Sequence, residues 1–140
     1  MIIQIMSRAD AVRYSKEIHN EASAFISISD FDGDCPKLLS GIGNGIFAQC
    51  TLKFDDVEYG KMNCITEYDA QKIVSFVTES AINADKLIVH CEAGVSRSAG
   101  VAGAIMKALY DNDWEVFSNP RYIPNMTCYR MVLSAFCAKH

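Results

Sequence analysis

The sequence predicts an α/β layered fold with a mainly parallel central sheet flanked by helices. Three observations lead there: short apolar or alternating runs recur along the chain, capped helical segments lie between them, and a turn comes directly after the most continuous apolar run. Residues 2–5 read as a short strand. Ser7 stands three residues before Asp10, a capping pattern that opens a helix to about residue 18. Residues 24–29 alternate apolar and small polar side chains, as a partly buried strand does, and end in the acidic turn 30–34.

From Cys35 to Gln49 the chain carries Pro36, Gly41, Gly43 and Gly45 and reads as irregular. A strand is expected at 50–54, and Thr66 with Asp69 caps a helix to about residue 83 whose apolar stripe is Ile73, Val74, Val77 and Ala81. Leu87, Ile88 and Val89 form a continuous run suited to a central strand covered on both faces. Residues 98–110 and 125–139 read as helices, the second coming after Pro124. The 140 residues fit one domain, 1–140, with no repeat, linker or low-complexity tract.

Composition narrows the class. Half the residues are hydrophobic and 21% are charged, which is globular usage. A formal net charge of -4 gives no overall attraction for nucleic acid or an acidic membrane, so neither is expected as a partner. The apolar start, residues 1–6, is too short for a signal sequence, and no run of about 18 apolar residues is present. The six cysteines show no paired spacing that suggests zinc, so no metal or cofactor is expected. Without an export signal, reduced thiols and a cytoplasmic location are the expectation.

The chemistry concentrates in His90-Cys91-Glu92-Ala93-Gly94-Val95-Ser96-Arg97-Ser98, between an expected strand and an expected helix. A turn of this length can aim successive amides of residues 92–97 into one concavity, and the helix N-terminus adds partial positive charge. Gly94 permits backbone angles that a side chain opposes, while Arg97 offers a planar fork for two phosphate oxygens. The same field favours a thiolate at Cys91. The residues therefore describe an anion cradle containing a nucleophile.

HCEAGVSRS resembles the H-C-x5-R-S/T signature of the protein tyrosine phosphatase superfamily, most of all its small dual-specificity branch. The likeness runs from the strand at 24–29 through Phe54-Asp55-Asp56 and the signature to Ile123-Pro124-Asn125, although only the signature is highly specific. The resemblance implies a phosphatase-like fold and a metal-independent hydrolysis of phosphomonoesters through a phosphocysteine. It implies that Ser98 bonds the thiolate, that His90 organises the loop, and that an aspartate upstream is the general acid. Of the pair, Asp56 is chosen over Asp55 because the second aspartate of similar loops takes that position.

Asn125 resembles an asparagine that steadies the phosphate loop in dual-specificity enzymes, and it equally suits a helix cap. The resemblance points to a phosphorylated protein or another phosphomonoester as partner. Glu92 and Val95 stand where inositide phosphatases of the superfamily often carry lysines, which disfavours a highly charged inositol lipid. Two rival readings stay open: a non-catalytic phosphate-binding module, and another cysteine-loop enzyme such as a sulfurtransferase or arsenate reductase. The segment 30–34 lacks the glycine and closing glutamate of a calcium loop, and 41–45 lacks the last glycine of a dinucleotide fingerprint; both read as turns.

Overall fold

The computed structural model describes residues 1–39 and 44–139. Four parallel strands, β1 (Ile2–Met6), β2 (Ser23–Ser29), β3 (Ile46–Lys53) and β4 (Lys86–His90), form one sheet in the order β1-β4-β2-β3. Helices α1 (Arg8–Ser15), α2 (Glu67–Ser75), α3 (Arg97–Tyr110), α4 (Trp114–Phe117) and α5 (Met126–Lys139) surround it. The expected α/β class with a parallel sheet is therefore what the chain adopts.

Strand alternation divides the core in two. Ala24, Ile26, Ile28, Leu87 and Val89 join the larger cluster, which includes α2, α3 and α5 residues such as Ile73, Val101 and Val132. Phe25 and Ile88 point the other way and pack with Ala11 and Tyr14 of α1. Right-handed crossovers explain the split: the chain steps from β1 over to β2 and later returns from β3 to β4, so the connecting helices cover opposite faces. Because every strand is parallel, Met6, Ser29, Lys53 and His90 all end at one edge. β4 enters between β1 and β2, which makes that edge a topological switch point.

Several boundaries differ from those the sequence predicts, each for a local reason. α1 stops at Ser15 and not near residue 18, because His19 stacks on Tyr14 at 3.6 Å and its Nε2 lies 2.8 Å from the Tyr14 carbonyl that a longer helix would use. The helix expected to reach residue 83 leaves α geometry at Phe76, and Phe76–Ser80 forms a π-helical turn closed by Ala81 N donating to Phe76 O at 2.9 Å. β3 begins at Ile46, inside the stretch that reads as irregular, since residues 46–49 pair with the start of β2; Phe54 lies just past its end. The short α4 has no counterpart in the sequence pattern. The glycine-rich turn at 41–43 lies outside the described residues.

The caps behave as their patterns require. Asp10 N donates to Ser7 Oγ at 3.1 Å, and Thr66 with Asp69 forms a reciprocal capping box. α3 and α5 approach closely at Gly100, where an added Cβ would fall 2.3 Å from the Asn125 carbonyl oxygen. At Gly103, one turn on, a Cβ would meet only ordinary contacts of 3.5 Å or more. Gly100→Ala should therefore destabilise the protein by roughly 1–3 kcal/mol through overpacking. Gly103→Ala should instead stabilise it by about 0.5–1 kcal/mol, the usual gain on replacing glycine in a helix. Denaturant unfolding of the two variants checks the opposite signs.

Candidate active site

The segments just beyond the four strand ends meet around the Cys91 loop. Ser7 and Arg8 come after β1, Asp30 after β2, Phe54-Asp55-Asp56 after β3, and the Cys91 loop after β4. The loop is clamped at both ends by backbone bonds: Arg8 N donates to Glu92 O at 3.1 Å, Ile123 N to Val95 O at 3.0 Å, and Asn125 N to Ser96 O at 3.0 Å. Gly94 has φ +72°, and a Cβ there would sit 2.7 Å from the Met6 carbonyl carbon and the Ser7 nitrogen. Only glycine satisfies both the backbone angle and the close approach.

Cys91 is 3% exposed and its Sγ lies 3.1 Å from Ser98 Oγ. Burial pushes this thiol up, yet the Ser98 hydroxyl and the amides of Ser98, Gly94 and Val95 outweigh it and hold Cys91 below the ordinary thiol value. The contrast with other buried thiols isolates the cause. Burial raises Cys50 to about 11 and raises Cys128 as well, because neither has such a set of donors. Cys91 alone among these three is held below its ordinary value.

Arg97 is 6% exposed at the start of α3. Its Nη1 donates to Asp30 Oδ1 and to the Phe54 carbonyl, each at 2.8 Å. Its Nε is buried with no partner among the described residues. One nitrogen thus anchors the guanidinium while a buried donor is left unpaired, an arrangement suited to an anionic oxygen. The sequence places Asp30 only in an acidic turn, so this anchor is a site residue that the sequence misses. Its position one residue beyond a parallel strand is the signal that marks it.

His90 is held on the α1 face of the sheet. Its Nδ1 lies 3.4 Å from Cys91 O, and its Nε2 lies 2.7 Å from Ser27 Oγ. A carbonyl only accepts, so Nδ1 carries the proton and Ser27 donates to Nε2. Gln49 Nε2 donates to Ser27 Oγ at 2.9 Å and to Pro36 O at 2.7 Å, which extends the network across β2 to β3. Burial lowers His90 to about 4, so it is neutral at physiological pH and serves no acid role there.

The two aspartates after β3 part company. Asp55 faces inward: its Oδ1 accepts from Phe31 N at 3.0 Å and its Oδ2 from Asn63 Nδ2 at 3.3 Å. Asp56 faces the cradle, where Oδ1 accepts from Ser96 Oγ and from Asn125 Nδ2, each at 2.8 Å. Asn125 also caps α5, its Oδ1 accepting from Cys128 N at 3.0 Å. The two readings of Asn125 are thus simultaneous features, although its side chain reaches Asp56 and only its backbone touches the loop. Of the loop residues, Glu92 and Ala93 are exposed, Gly94 is buried, and Val95 and Ser96 are half-buried.

The neutral buried His90 couples stability to pH. In the unfolded chain it takes a proton near 6.5, but in the folded protein only near about 4. Between those values the unfolded state binds more protons, so stability falls as pH drops from 6.5 to 4, with up to ~3 kcal/mol lost. Urea unfolding at intervals across this window should show that slope, and His90→Asn should flatten it.

No protein-family model and no curated protein matches this sequence. Solved structures do match. PTPMT1 is 15% identical, with 99% of this chain and 96% of that one covered at a TM-score of 0.59. Human DUSP28 is 12% identical, with 98% and 92% covered at 0.61, and Tk-PTP in its active form is 12% identical, with 94% and 90% covered at 0.54. PTPMT1 has also been solved in complex with PI(5)P. The match extends over nearly the full length of such structures, and it joins a parallel sheet to a loop beyond β4 that carries the signature: this chain has the fold of the protein tyrosine phosphatase superfamily.

Proposed function

We propose that this single-domain protein is a metal-independent, cysteine-dependent phosphatase acting on phosphomonoesters. The observation that carries the reading is a buried thiol held below its ordinary value, in a ring of amides beside a buried arginine with an unpaired Nε. Burial by itself opposes a thiolate, so the donors that favour it identify a site built for negative charge. A structural cysteine needs none of them.

In the first step the Cys91 sulfur attacks phosphorus. The S–P bond forms as the P–O bond breaks, and Asp56 gives its proton to the departing oxygen. The amides of residues 92–97 and the Arg97 guanidinium hold the equatorial oxygens through charge development. In the second step water attacks phosphorus, Asp56 takes the water proton, and sulfur leaves as a thiolate that Ser98 stabilises by donating to it. Ser96 and Asn125 both bond Asp56 Oδ1, which leaves Oδ2 without a donor among the described residues and able to carry the proton. The loop that supplies the acid is thereby docked on the cradle.

Phosphorylated protein is the favoured substrate class. PTPMT1 in complex with PI(5)P brings a phosphoinositide into consideration, but exposed Glu92 on the cradle rim opposes lipids with several phosphates.

A generic aryl phosphate should be hydrolysed with EDTA present. Cys91→Ser should abolish turnover yet still bind inorganic phosphate, and Arg97→Lys should be nearly inactive because an ammonium lacks the planar fork. A Cys91→Ser variant with full activity would refute the mechanism. Iodoacetamide labelling of Cys91 should be half-maximal below the usual thiol range of about 8.5, and Ser98→Ala should move the midpoint up because a thiolate donor is lost. Asp56→Asn should slow alkyl phosphates by roughly a hundredfold or more, and activated aryl phosphates much less. Asp55→Asn should leave the chemistry nearer to wild type while lowering the unfolding midpoint, since its carboxylate braces Phe31 and Asn63.

A further inference from the structure

A groove of about 940 Å³ opens directly from the acid side of the cradle. Asp56 and Ser96 lie at its catalytic end, and its walls include Lys61, Met62, Ile123 and Arg130. Both walls are fixed to each other. Tyr59 N donates to Thr127 Oγ1 at 2.9 Å, and Asn125 Nδ2 reaches Val57 O at 3.3 Å. The loop after β3 is therefore fastened to the first turn of α5, and the groove is a formed feature.

Chemistry dictates what enters it. Asp56 must reach the leaving oxygen, so the group attached to that oxygen lies on the Asp56 side, where the groove begins. Its volume is that of a site for a body much larger than one phosphate. Tyr59, Met62 and Ile123 are 80%, 83% and 72% exposed, large apolar surfaces left uncovered. Lys61 and Arg130 are exposed and form no ion pair among the described residues, whereas Arg97, Lys53, Lys86 and Lys107 all do. On a chain of net charge -4 the groove is charge-balanced, with Asp56 and Glu58 on its lining beside Lys61 and Arg130, and these two cations are the ones left without an ion pair there.

We propose that this groove binds the flank of a monophosphorylated peptide, with an apolar residue against Met62 and Ile123 and an acidic residue paired with Lys61 and Arg130. The proposal rests on the phosphatase reading and names its substrate class. Spacing follows from the helix: Arg130 is five residues beyond Asn125, which bonds the acid, or ~7.5 Å along the axis. An extended peptide rises ~3.3 Å per residue, which places the acidic residue two or three positions from the phosphorylated one. The carboxylates Asp56 and Glu58 share the groove and exclude a second phosphate group near the cradle.

The test uses two monophosphotyrosine peptides that differ only in glutamate or lysine at those positions, on either side of the phosphotyrosine. Wild-type protein should favour the acidic peptide by roughly tenfold in kcat/KM, a preference that salt reduces because the pairs are exposed. The double variant Lys61→Glu, Arg130→Glu should invert the ratio. A wild-type ratio near one, a ratio that the charge reversal leaves unchanged, or higher kcat/KM for PI(5)P in vesicles than for either peptide would overturn the proposal. If para-nitrophenyl phosphate and both peptides are all left intact, the phosphatase reading itself fails. Fluorescence anisotropy with the same peptides and variants then reads the groove separately: preferential, charge-reversible binding of the acidic peptide upholds it, and equal binding overturns it.

Discussion

A buried thiol falls below its ordinary value only where donors replace the water it has lost, and the structure meets that demand at Cys91. Burial raises the thiols Cys50 and Cys128, so the interior is not itself favourable to sulfur anions. The reversal at Cys91 comes from three amides and one hydroxyl within a few residues of chain. Those amides converge only if the loop turns tightly against β1. Gly94 makes that turn possible, and bonds from Arg8, Ile123 and Asn125 maintain it.

The sheet supplies the rest by bringing four strand ends to one edge. Arg97 is anchored by groups from the ends of β2 and β3, Asp30 and the Phe54 carbonyl, which are 67 and 43 residues away in sequence. His90 is fixed from below by a part-buried Ser27–Gln49 relay that crosses the same strands. Because these supports come from neighbouring parallel strands and the residues just after them, the cradle is tied directly to the sheet. The residues that face it, Asp56 among them, come instead from loops, which are free to vary in charge and shape.

The loop after β3 shows how the two parts meet. Asp56 is held by Ser96 of the cradle and Asn125 of the α5 cap, so one asparagine links the helix start, Asp56 and, through its backbone, the Cys91 loop. The same docking forms the wall of the groove beside Asp56. The position of Asp56 and the shape of the groove thus depend on the same small set of contacts between the β3 loop and the start of α5.

By itself the sequence determined the local features: the strand at 87–89, the loop 91–97 directly after it, the helix caps at Ser7 and Thr66, and the parallel α/β class. These depend on periodicity, short-range hydrogen bonds and the order of elements, all of which are written in neighbouring residues. Tertiary structure decided what distant segments do to each other. It turned Asp55 inward and Asp56 toward the cradle, though two adjacent carboxylates are indistinguishable by composition. It also gave Asp30 to Arg97, ended α1 early through His19, and drew β3 back to Ile46 through pairing with β2. Such outcomes are fixed by strand register and packing between residues far apart in the chain, and no local pattern encodes which of several similar side chains will arrive.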